Sequence, residues 1–162
     1  MEYPNLNDMD NPIVTMKLEA GWTAEKATWQ KPVGFEFNDY KNKFIPETYG
    51  YNLSDEKGEE RGEYGLIGRY HNSDASSFPN HIQSTSVVYE GPTVLGKGVI
   101  YLLKLDLPKE LRTKDKDYYL MYYALVPIEN EHLAYNLTLK VPEGQSQEAT
   151  LDAMKKLLGA DR

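Results

Sequence analysis

The sequence predicts an α+β fold: a single domain with a mainly antiparallel β-sheet and a C-terminal helix packed on it. Three observations carry this expectation. Residues 99–107 (VIYLLKLDL) and 133–141 (LAYNLTLKV) alternate in hydropathy with a period of two, as strands with a buried face do. Residues 117–127 (DYYLMYYALVP) set Tyr118, Leu120, Tyr122, Ala124 and Val126 on one face and Tyr119, Met121, Tyr123 and Leu125 on the other. A strand apolar on both faces is a central strand covered on both sides. Near the end of the chain, Leu151, Met154, Leu157 and Leu158 fall on one helical stripe. Ser146 stands where an N-cap belongs, Glu148 in the first turn, Lys155 and Lys156 in the last, and Gly159 where the helix stops.

The remaining elements follow in chain order. Residues 1–12 (MEYPNLNDMDNP) are polar and read as a flexible lead-in, leaving 13–162 as the domain. In IVTMKLEAGW, Val14, Met16 and Leu18 alternate with Thr15, Lys17 and Glu19, which predicts a strand over 13–19 closed by Gly21. VGFEF (33–37) repeats the alternation. Residues 38–62 are polar and predict a long loop ending in the charged run Ser54 to Gly62, a solvated turn on this reading. EYGLIGRY (63–70) predicts a strand weakened by Gly65 and Gly68. HNSDASSFPN (71–80) is turn chemistry, STSVVYE (84–90) a strand, and GPTVLGKG (91–98) a turn-rich connection. Pro108 ends the strand over 99–107, and 108–117 is a charged loop. The link PIENEH is short, so 118–126 and 133–141 form an antiparallel hairpin.

Composition narrows the classes of function. The chain has 162 residues, the size of one domain with a real core. Its net charge is −7, and the basic residues near 112–117 are interleaved with acids, which argues against nucleic acid as a partner. It contains no cysteine, so disulfides, thiolate nucleophiles and cysteine-based zinc sites are excluded. No stretch approaches the roughly 20 apolar residues of a membrane span. The N-terminus carries no signal-like apolar region. The chain is therefore expected either in the cytoplasm or outside it, with a signal and anchor preceding Met1. The 13 tyrosines against 4 phenylalanines suit half-buried sheet positions, where the ring packs and the hydroxyl reaches a polar partner. The tyrosines of 118–123 are accordingly expected to serve packing.

Linear motifs for chemistry are missing. His71, His81 and His132 lack metal-ligand spacing, Ser54 to Lys57 matches S-x-x-K only by chance, and the acidic run lacks an EF-hand register. Gly96-Lys97-Gly98 is a turn and not a P-loop. No cofactor is implied. The leading expectation is a non-catalytic binding or interaction module for a protein or cell-envelope partner. The alternative, a hydrolase or metal-dependent enzyme, would assemble its site from His71, His81 and nearby acids. The loops at 38–62 and 71–83 exceed the usual length of about 4–6 residues, and long loops on a rigid sheet are where contacts concentrate. The candidate contact residues are Tyr49, Tyr51, His71, Asp74, Phe78 and His81.

The order of elements adds a resemblance. An early strand running into LEAGW, long later strands, a hairpin over 118–141 and a closing VPEGQSQEATLDAMKKLL resemble the PsbP-like fold. That group includes photosystem-associated PsbP proteins, Ran-binding Mog proteins and bacterial lipoproteins of unknown role. Where it often has P-x-G-W after the first strand, this chain has Glu19-Ala20-Gly21-Trp22. The resemblance implies an antiparallel sheet between helices, a non-enzymatic role and an extracytoplasmic, lipid-anchored setting. It carries no functional residue across.

Overall fold

The computed structural model describes residues 2–5, 7, 8, 10, 13–27, 50–68, 82–129 and 133–160. They form β1 (Glu2–Pro4), β2 (Ile13–Thr15), β3 (Thr23–Ala27), β4 (Gly50–Ser54), β5 (Glu60–Gly68), β6 (Ile82–Thr93), β7 (Gly96–Asp106), β8 (Tyr118–Pro127), β9 (Leu133–Val141) and the helix α1 (Gln147–Leu158). Strands β1 and β2 pair as a small ribbon, and the other seven form one antiparallel sheet in the order β3-β4-β5-β9-β8-β7-β6. The sheet is two meanders, β3–β5 and β6–β9, joined where β5 lies beside β9 with Gly62 opposite Leu139. Close approach at this seam requires a glycine: a Cβ at Gly62 would run into the Thr138 carbonyl. The expected α+β class holds, as does the hairpin, with Leu120 opposite Val141 and Pro127 opposite Ala134.

The two faces of the sheet are unlike. On the helix side, Leu53, Tyr64, Ile100, Tyr122, Val126, Tyr135, Leu137 and Leu139 are buried with Met154, Leu157 and Leu158 of α1. On the other side, Leu103, Leu105 and Tyr123 are buried, with Tyr101, Tyr119 and Met121 partly so. Strand β8 thus sends Tyr122 to one core and Tyr123 to the other, at 2% and 5% exposure. Burial raises the pKa of both phenols and holds them protonated; a hydrogen bond with Gln147 partly opposes this at Tyr122, and Tyr101 adds to it at Tyr123. The tyrosine-rich strand is architecture first.

Helix α1 starts and stops where its sequence dictates. Ser146 accepts a hydrogen bond from the Ala149 N–H at 3.2 Å, capping the first turn. Gly159 takes the left-handed conformation (φ 65°) that ends it. The Leu158 carbonyl then accepts from the Val94 N–H at 2.8 Å, tying the helix to the β6–β7 turn. The N-terminal stretch meets the same turn. Asn7 donates to the carbonyls of Leu95 and Pro127 at 2.8 and 2.9 Å, and its side-chain oxygen accepts from the Glu129 N–H at 2.8 Å. The segment read as a lead-in therefore contributes a strand and a side-chain staple.

Several elements differ from the sequence expectation. Within 38–62, residues 50–54 and 60–62 are strand, held by backbone pairing of β4 with β3 and β5; Tyr51 and Leu53 supply the core contacts of β4, too few to print a period into the sequence. The expected strand over 13–19 keeps its ladder only through Thr15, although Met16 is buried and Val14 and Leu18 pack on the core as the alternation requires. Strand β3 (TAEKA) has no apolar pattern to announce it. Much of the expected connection 91–98 is strand on either side of a tight turn at Val94 and Leu95. The VGFEF segment and the turn at 71–80 lie outside the described residues.

Two substitutions test the packing. Leu157→Ala empties a buried site between α1 and the sheet and should cost about 2–5 kcal/mol in urea unfolding. Val87→Ala, at a side chain 57% exposed, should change stability by no more than about 0.5 kcal/mol.

Candidate functional site

At the end of the sheet where β4 turns into β5, the charged run read as a solvated turn holds a buried ion pair. Asp55 begins the turn, and its Oδ1 accepts from the backbone N–H groups of Lys57 and Glu59, each at 3.0 Å. Such a side chain mimics a backbone acceptor and fixes the turn's shape. The turn also needs Gly58, whose φ is 79°. The other oxygen of Asp55 faces Nη1 of Arg61 at 3.3 Å, and the two residues are only 2% and 4% exposed.

Arg61 holds four elements at once. Its Nε donates to the Lys140 carbonyl at the end of β9 (3.0 Å), Nη1 also donates to Gln145 Oε1 (3.3 Å), and Nη2 donates to Thr150 Oγ1 on α1 (2.7 Å). The guanidinium carbon lies 4.9 Å from the ring centre of Trp22, within cation–π range. Burial pushes the Asp55 carboxyl upward, but the N–H groups of Glu59 and Lys57 and the Arg61 guanidinium outweigh it and hold the group below its usual range.

Above this pair lies an open cleft of about 360 Å³, lined by Glu19, Trp22, Glu56, Gln145 and Asp152 with Arg61 at its base. Glu19 accepts from Ala20 N–H and from Lys156 Nζ, each at 3.1 Å, and these contacts lower its pKa. Glu56 and Asp152 are exposed and have no ion-pair partner among the described residues. The cleft therefore presents carboxylates at its rim and a neutralised cation beneath. A cationic group is what this field attracts. Among the described residues no three histidine or acidic side chains are grouped so as to hold a metal ion.

Of the residues singled out from sequence, Tyr51 is on β4, half-buried, between Lys26 of β3 and Tyr64 of β5, and packs on the main core. It has a packing duty that a loop residue would not have. Tyr49, His71, Asp74, Phe78 and His81 lie outside the described residues, and with them the histidine site of the enzyme alternative. The sequence did not single out Trp22, Arg61, Gln145 or Thr150. The one signal that could have found them is a lone arginine closing an acidic run just before a strand. On the opposite face, Asn136 buries a side-chain oxygen with no hydrogen-bond partner among the described residues.

In comparisons with known proteins, no family model, curated sequence or solved structure matches the chain.

Removing one member of the ion pair strands the other in a buried site. Arg61→Ala should cost about 3–5 kcal/mol in denaturant unfolding. Its pH dependence has a definite sign. Because the folded carboxyl of Asp55 sits below its ordinary value of 3.8, the unfolded chain binds the proton more readily. The stabilisation is complete above that value and is lost as pH falls through the folded one. Thermal melts of the natural protein should therefore lose this contribution in strong acid, and an Asp55→Asn variant should show a shallower decline below pH ~4.

Proposed function

We propose that the protein is a non-catalytic binding module that takes a positively charged group of a partner protein into the cleft beside α1. The observation that carries this is the charge arrangement: the unpaired carboxylates of Glu56 and Asp152, with Glu19 beside them paired to Lys156, around a cavity whose one basic lining residue among the described residues, Arg61, is already committed to Asp55. A ligand carboxylate or phosphate would meet the acidic rim and find three of the guanidinium's contacts taken by Lys140, Gln145 and Thr150. A lysine or arginine side chain would gain Coulomb attraction from the rim and could lay its stem against the half-buried Trp22. The cleft's volume of about 360 Å³ is near the low end of ligand pockets, roughly 300–1,000 Å³. It suits one side chain or a short peptide turn better than a large cofactor. The net charge of −7 would speed such an encounter at low salt. The cell-envelope setting belongs to the same proposal and rests on the resemblance alone.

A lysine- and arginine-rich peptide titrated into the protein, followed by calorimetry, tests this. Binding should weaken about tenfold or more in a Glu56→Lys, Asp152→Lys double variant and should also fall with added salt, while thermal stability changes little. Equal binding by a glutamate-rich peptide, or undiminished binding by the double variant, would refute the proposal.

A further inference from the structure

The two edges of the main sheet are protected very differently. Strand β3 is five residues long and carries Glu25 and Lys26, both exposed, a charged edge of the kind that discourages pairing. Strand β6 is twelve residues long, and among the described residues it pairs only with β7. From Ile82 to Tyr89 (IQSTSVVY) it contains no charged residue and no proline, in a chain where 27% of residues are charged. Gln83, Ser84, Thr85, Ser86 and Val87 are all exposed, so consecutive side chains on both faces of the strand reach solvent. Register shifts between Ile82 and Ser84 and between Val87 and Tyr89 bracket a regular run, Ser84 to Val87, opposite Lys104 to Tyr101. This is a short, neutral run of edge strand, four residues long between the two irregularities.

We propose that β6 is a self-association edge: two copies of the chain pair through it, antiparallel, about a two-fold axis at Thr85. In that register Thr85 faces the partner's Thr85, and Ser84 the partner's Ser86. Cross-strand pairs of Thr and Ser are favourable in antiparallel sheets. The occupant is a second copy because the segment is its own complement in charge and side-chain size, and because a charged partner strand would find no counter-charge along it. The bulges at either end limit the pairing to a few residues. A two-fold contact uses both β6 edges, and the charged β3 edges remain, so assembly stops at a dimer. A single short strand contact buries less than the roughly 1,000 Å² that a firm interface clears. The dimer is therefore weak and concentration-dependent.

Sedimentation equilibrium of the natural protein over rising concentration, into the millimolar range, should show a monomer–dimer equilibrium. Thr85→Lys puts like charges opposite each other at an exposed site and should raise the dissociation constant about tenfold, as should Thr85→Glu. An equimolar mixture of the two variants should restore association. Amide exchange in Gln83 to Val87 of the natural protein should slow as concentration rises, an outcome that needs no variant. A strict monomer at every concentration, or a dimer unaffected by both Thr85 variants, would overturn the proposal.

Discussion

The arrangement at the helix end of the sheet depends on one guanidinium. Arg61 is buried beside Asp55 and donates to β9, to the loop that leads into α1 and to α1 itself. A buried charge is costly to dehydrate, and it persists only where its partners are numerous and well placed. Here they come from the β4–β5 turn, the end of β9, the loop before the helix and its first turn. The pair is thus a specification of how the N-terminal meander sits against the C-terminal hairpin and its helix. The cleft is a by-product of that meeting: its walls are the elements that the arginine draws together, and its rim is acidic because Asp55 has already absorbed the cation.

Tyrosines do a different job in the same sheet. Tyr122 and Tyr123 are neighbours in sequence but belong to separate cores, one under α1 and one on the opposite face. Their rings fill both sides of β8, and burial keeps their hydroxyls protonated. The centre of the sheet is therefore rigid and committed, which moves any contact with another molecule to its ends and edges. The acidic cleft lies at an end, and the neutral strand β6 lies at an edge.

What the sequence made legible follows from how each element earns its stability. Strands β7, β8 and β9 and helix α1 bury whole rows of side chains, and such rows print a period of two or 3.6 into the chain. Strands β3 and β4 are held mainly by backbone pairing, with Ala24, Tyr51 and Leu53 reaching the core among the described side chains, too few to set a period. The site was less readable still. A run such as Ser54 to Gly62 looks solvated because its residue types usually are. That Asp55 and Arg61 turn inward depends on Thr150, Gln145 and Lys140, residues far along the chain that a local pattern cannot connect.

The seam between β5 and β9 also governs the order in which the molecule can be made. Gly62 lies against Leu139, and the strands between them in sequence, β6 to β8, are laid down on the far side of β9. While the chain leaves the ribosome, the β3–β5 meander has no neighbour along its inner edge until the last strand emerges. Its Arg61 waits as long for Lys140, Gln145 and Thr150. Long-range closure of this kind slows folding and exposes an unpaired edge during synthesis. The final few dozen residues therefore act as the latch of the whole domain, and the half-made chain is the form most in need of a chaperone's protection.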